Sequence, residues 1–399
     1  MLFQTVQTGE SLFWQGLVFT GLALALTLSA IWYLYLSPIK QPSNIKAEIS
    51  DRFIITIALI TGISSIIRLL GAHWDTSEHV IQGVVPGGSD FLWPPHLMLY
   101  TSFVISFIVA LYATLRITAP YRRKRIFDPR PAIRDYPYIG AIVIAALYGW
   151  ISVPGDAIWH EIYGFDLTAW SPPHVMLMIA SATEPLCAAG LLMMTRRKSS
   201  GVNWRDVVVL IFLGAALQMF NIIGVLDWEI PGGRASEIGS RMVDARATWL
   251  YPVISAGITL FVINFAKRLN GFRWGATLAV LFSYGVRLVS MGFVTLLGGV
   301  TLKFPLIALL GALLFDLLPL EKVASPFVRT LIQSLAYITG FMLLVPLGIG
   351  SVQKLYGFTT VDYTLTVLIG VAASLIILPF SRAAAGWFLR QVEPVRTAS

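Results

Sequence analysis

Apolar residues in this chain run together in long blocks instead of alternating with polar ones. The blocks fall near 13–37, 53–71, 93–117, 137–153, 171–195, 207–225, 249–267, 274–296, 304–319, 330–350 and 363–381. A helix needs roughly 20 apolar residues to cross a bilayer, and most of these runs come close to that length. Irregular backbone cannot face lipid, and the short alternating strands of a closed barrel do not match such continuous runs. The pattern predicts an all-α fold, a polytopic membrane helix bundle of about 11 transmembrane helices. It forms a single membrane domain over residues 1–399.

Composition agrees and narrows the class. Of 399 residues, 56 % are hydrophobic and 13 % charged, with a mean hydropathy of +0.74. Soluble domains carry about 25 % charged residues. The one cysteine, Cys187, lies in an apolar run, which excludes a disulfide framework and a cysteine metal cage. No Lys or Arg precedes Lys40, so no cleaved signal peptide is expected.

The net charge of +8 is a matter of topology and does not imply a nucleic-acid partner. With the N-terminus outside and the C-terminus inside, 22 of the 29 basic residues fall in inner loops. They include seven from Arg116 to Arg134 and four from Arg196 to Arg205. This orientation is the one expected of a multi-pass protein of the cell inner (plasma) membrane. The partner it implies first is the lipid bilayer, with anionic lipid drawn to the inner face.

The outer (periplasmic) loops then collect the chemistry. They hold Asp75, Glu78, Asp90, Asp156, Glu161, Asp166, Asp227, Glu229, Glu237 and Asp244, together with all five histidines. An internal helix-pair repeat underlies this clustering. Residues 53–117 contain "HWDTSEH…DFLWPPHLML" and residues 137–195 contain "GDAIWHEIYGFDLTAWSPPHVML". Residues 207–267 are a degenerate third copy that keeps Asp227 and a Trp249/Pro252 helix start but no histidine. Trp93, Trp170 and Trp249 are 77 and 79 residues apart. The C-terminal four-helix part, 274–381, shows no such phrase.

Within each histidine-bearing copy, one carboxylate and two imidazoles converge. Asp156 and His160 are spaced i, i+4, on one helix face. Pro172 and Pro173 open the next helix, from whose start His174 projects. Asp75, His79 and His96 repeat the arrangement. Such a three-ligand site suits iron, copper or zinc with a position left open. Asp90, Asp166, Glu78 and Glu161 stand nearby as partners to orient the imidazoles. The simpler reading is that the carboxylates cap helices, the histidines are interfacial hydrogen-bonding groups and the Trp/Pro elements anchor helix starts. His73, two residues before Asp75, falls on the opposite helix face, and Met98, Met176 and Met178 are read as packing.

The phrase "DAIWHEIYGFD…SPPH" resembles the outer-end copper motif in the C subunit of the copper-dependent membrane monooxygenases, the methane and ammonia monooxygenases. Asp156, Trp159, His160, Asp166 and His174 match that motif, and the family's subunit also carries two such motifs in successive outer loops. The likeness covers about 120 of the 399 residues; both motifs here begin with Asp, and the C-terminal helices have no evident counterpart. It implies copper and a metal-bearing subunit of a membrane oxidoreductase acting on a small apolar substrate. Electrons would come from a quinol or a protein donor, and other membrane subunits or further copies of the chain would assemble with it. Two other functions fit the residues: a zinc-dependent intramembrane hydrolase, and a non-catalytic subunit or transporter with Asp75, Asp156 and Asp227 as cation sites.

Two charged residues fall mid-span, Glu184 in the fifth block and Arg287 in the eighth. A charge in hydrocarbon costs about 2.5–3.5 kcal/mol or more, so the expectation is that they pair or line one cavity. Arg68 is expected to reach the carboxylates of the first acidic turn or to snorkel to the interface.

Overall fold

The computed structural model describes residues 9–39, 45, 49–82, 92–163, 171–195, 203–229, 249–300, 307–318, 325–349 and 359–397, and these contain helix and no strand. The first half of the chain supplies α1 (Gly9–Ile31), α2 (Asp51–Asp75), α3 (Pro94–Arg123), α4 (Arg130–Asp135), α5 (Pro137–Tyr163), α6 (Pro172–Met194) and α7 (Trp204–Glu229). The second half supplies α8 (Leu250–Asn270), α9 (Gly275–Leu296), α10 (Leu309–Leu317), α11 (Pro326–Ile349) and α12 (Thr360–Thr397). Among the described residues, nine of these helices are long and apolar enough to cross a membrane. The protein is an all-α polytopic membrane helix bundle.

Helix boundaries follow local chemistry. The Ser50 side chain caps α2 by accepting from the Phe53 amide at 3.3 Å. Pro94–Pro95 and Pro172–Pro173 occupy the first turns of α3 and α6, where a missing N–H costs nothing. Gly271, in the left-handed region at φ +69°, ends α8, whose last turn carries Lys267 and Arg268. Both α1 and α2 run on into a π-helical turn, Trp32–Leu36 and Thr76–Ile81 respectively. At the foot of α1, Arg130 grips Asp128 through Nη2 at 2.6 Å and reaches Ser37 Oγ at 2.9 Å. The same guanidinium holds the Asp128 carboxyl below the usual carboxylate range.

Successive spans pack antiparallel, so the molecule has two chemically different ends. Asp75 and His96 lie at one end and the Arg122, Arg123 and Arg134 loops at the other. The helix α6 is the hub, packed against α2, α5 and α7 and buried along most of its length. A second core joins α8, α9, α10, α11 and α12 around Phe315, Tyr337 and Phe341.

Within the crossing read at 304–319, the described helix α10 has nine residues and is about 14 Å long. Described residues on either side of 301–306 lie toward the two ends. A Cβ on Gly299 would lie 2.6 Å from Ser77 Oγ at the histidine end, whereas Asp316 pairs with Lys267 at the basic end at 2.8 Å. Backbone contact seats α10 on its neighbour: a Cβ on Gly340 of α11 would meet the Gly311 amide nitrogen at 2.7 Å and its Cα at 2.8 Å. Small residues allow this approach, and packing of this kind replaces the hydrophobic effect within a membrane. Gly340→Ala is expected to lower stability by about 1–3 kcal/mol in detergent micelles. Gly285→Ala in α9, where an added Cβ meets nothing within 4 Å, is the control and should be neutral or mildly stabilising.

Candidate functional site

At the end of the bundle opposite the basic loops, each histidine-bearing helix pair brings together an aspartate and a histidine. Asp75 is the last residue of α2, and its Oδ1 lies 3.0 Å from Nε2 of His96. Asp156 lies near the end of α5, just past the internal Pro154, and its Oδ1 lies 3.2 Å from Nε2 of His174. In both pairs the histidine is the third residue of a helix that opens Pro-Pro. The turn that carries each imidazole is therefore set by the same local device. Ser171 sharpens it in the second pair, accepting from the His174 amide at 3.4 Å.

The surroundings of the two pairs differ. His96 is nearly buried, with the Trp93 ring edge-on at 5.3 Å and the Tyr100 ring at 5.6 Å. In the second pair the aspartate is the buried partner, and His174 keeps 23 % of its side-chain exposure. The backbone after the aspartate also differs: Thr76–Ile81 is a π turn, whereas the chain beyond Asp156 continues as α-helix to Tyr163. Such π turns cluster at functional sites because they re-aim side chains.

Of the predicted ligands, Asp75, His96, Asp156 and His174 are thus placed in two pairs. The His79 and His160 side chains lie outside the described residues, as do Asp90, Glu161, Asp166 and the Asp227 side chain. Among the described residues no group of three or more His, Cys, Asp and Glu side chains converges. Glu78 is held by Trp74, whose Nε1 donates to Oε1 at 2.6 Å.

The interior charges depart from expectation. Glu184 pairs with Arg68, not with Arg287: Arg68 Nη2 donates to Glu184 Oε2 at 2.9 Å, and both side chains are fully buried. Ser106 also donates to that oxygen, at 2.7 Å, and Arg68 Nε donates to Ser102 Oγ at 2.9 Å. The Phe103 ring lies 3.5 Å under the guanidinium. Arg68 neither snorkels nor reaches the acidic turn, because it leaves α2 on the face packed against α3 and α6. The signal for this was present in the serines: Ser102 and Ser106, spaced i, i+4, line one stripe of α3.

Arg287 turns to the histidine that sequence reasoning set aside. Its Nη1 lies 2.9 Å from Nε2 of His73, whose Nδ1 contacts Ser290 Oγ. A guanidinium can only donate, so His73 Nε2 is the acceptor in this contact. The three residues tie α2 to α9.

The chain matches no family model, no curated protein and no solved structure.

Proposed function

We propose that this multi-pass membrane protein binds two transition-metal ions at its acid-and-histidine end and is the metal-bearing subunit of a membrane oxidoreductase of the monooxygenase type. One ion would be held by Asp75, His79 and His96, the other by Asp156, His160 and His174. The observation that carries the reading is the duplicated carboxylate–imidazole pair, at 3.0 and 3.2 Å. Two donors that each sit ~2.0–2.2 Å from one ion at roughly a right angle are about 3 Å apart, so the spacing of each described aspartate–histidine pair is compatible with an ion shared between them. Carboxylate with imidazole suits copper, iron or zinc, and the resemblance of "DAIWHEIYGFD…SPPH" to the copper-dependent monooxygenases favours copper.

Such an ion, when bound, supplies redox chemistry toward dioxygen and a small apolar substrate drawn from the bilayer. The chain's own residues do the positioning. His96 and His174 stand on first helical turns, which are rigid, and His96 and Asp156 are nearly buried, which keeps bulk water from their polar atoms. The sequence holds no haem, flavin or cysteine-cluster motif. A quinol or a partner protein would therefore deliver electrons, and other membrane subunits or further copies would complete the assembly.

Elemental analysis of detergent-purified protein tests this reading. The expected result is copper at about two equivalents per chain, one for each pair. Zinc at that ratio would shift the assignment to an intramembrane hydrolase, in which the metal lowers the pKa of bound water toward ~7. No stoichiometric metal would overturn it and leave two hydrogen-bonded interfacial pairs.

A further inference from the structure

We propose that the basic end of the C-terminal helices is a binding site for an anionic phospholipid, with the phosphate seated in a cationic cavity and an acyl chain in the trough beside it. The cavity, of 260 Å³, lies where α8, α10, α11 and α12 meet. Lys267 and Arg268 come from the last turn of α8, Arg329 and Gln333 from the first turns of α11, and Arg382 from α12. No carboxylate is among its described lining residues. Among the described residues, Asp316 lies close by, buried against Lys267 at 2.8 Å and accepting from the Thr277 amide at 2.8 Å, so it answers the lysine and not Arg268 or Arg382.

Arg382 is the organising residue. It lies on the helix α12 itself, next to the apolar run 363–381, and not in a loop. Its Nη1 donates to Thr330 Oγ1 at 2.6 Å and its Nη2 to Gln333 Oε1, which fixes the guanidinium at the cavity wall. Arg268 and Arg329 both lie within electrostatic reach of it. Loop arginines that only set topology stay in water and spread apart. Here like charges from three helices are held together where α8 ends and α11 begins. A planar guanidinium matches a phosphate in both charge and hydrogen-bond geometry.

The second half of the site commits the phosphate to a lipid. A trough of 360 Å³ shares Pro326 and Arg382 with the cavity and is otherwise lined by Phe327, Thr330, Leu375 and Pro379. It opens among side chains that face acyl chains, with Phe327 65 % exposed, Ile376 74 % and Phe380 66 %. Cation above and apolar channel below, hinged at one arginine, is the profile of an anionic amphiphile. Basic pockets between membrane helices are the sites that such headgroups occupy.

The test uses the full-length protein in neutral detergent, supplemented with phosphatidylglycerol, phosphatidylcholine or inorganic phosphate. Native mass spectrometry reads retained lipid, and thermal unfolding reads the shift. Phosphatidylglycerol is expected to stay bound and raise the unfolding temperature, and phosphatidylcholine to do neither. Arg382→Gln should weaken retention roughly fivefold, the share of one basic residue. Arg268→Gln, at an exposed position, should do the same and keeps the test decisive if Arg382→Gln fails to fold. Equal retention of both lipids, an equal shift from phosphate alone, or undiminished retention by Arg268→Gln would each overturn the proposal.

Discussion

Replacing Glu184 with leucine while Arg68 stays in place is expected to lower stability by about 3–5 kcal/mol, because a guanidinium is then left in the bundle interior without its counter-charge. Both side chains are fully buried and 2.9 Å apart. Ser102 and Ser106 hydrogen-bond the guanidinium, but hydroxyls cannot neutralise it. Arg68→Met should cost a similar amount by stranding the carboxylate. The double variant Arg68→Met/Glu184→Leu separates burial from mere contact: it is expected to recover most of the loss, since desolvating two charges costs about what their attraction returns. The pair is not saturated either, for Glu184 Oε1 and Arg68 Nη1 have no hydrogen-bond partner among the described residues. Chaotrope unfolding in detergent micelles is the measurement. A single-variant cost under about 1 kcal/mol would show that water reaches the pair and that its charges are not held as described.

The second large effect concerns metal content. His96→Ala is expected to remove about one equivalent of metal and His174→Ala the other, with the double variant metal-free. Each histidine is paired on its own helix pair, at 3.0 Å to Asp75 and 3.2 Å to Asp156, so losing one leaves the other's donors in place. Were the pairs only hydrogen bonds, each substitution would cost the ~0.5–1.5 kcal/mol of such a bond and leave the metal content untouched. Asp75→Asn and Asp156→Asn sharpen the contrast. Asparagine keeps an oxygen that accepts from imidazole but loses the anionic charge, so metal retention should fall while stability changes little.

The helix starts that carry His96 and His174 were legible in the sequence, and the reason is local. Pro-Pro starts a helix and puts the following histidine at its third position, which depends on six or so consecutive residues and not on the rest of the fold. The partnering of the interior charges was not legible in the same way. Glu184 and Arg68 are 116 positions apart in the chain, and Arg287 and His73 are 214 apart. Hydropathy says that a mid-span charge needs company, and it does not say which helix will supply it. The expected Glu184–Arg287 pair failed on that point: α6 turns Glu184 toward α2 and α3, whereas Arg287 on α9 meets α2 further toward the histidine end.

The sequence by itself determined that the chain is an all-helical membrane bundle, where most of its helices lie, and that an aspartate and a Pro-Pro-histidine recur in two helix pairs. Each of these is written in runs or spacings of neighbouring residues, which bilayer thickness and helix geometry convert directly into structure. Only the tertiary structure decided which buried charges meet, that a nine-residue described helix is seated backbone to backbone on Gly340, and that arginines from separate helices line one cavity at the basic end. Those depend on the rotation and depth of each helix against its neighbours. Packing sets both across the whole bundle, and no short stretch of sequence records them.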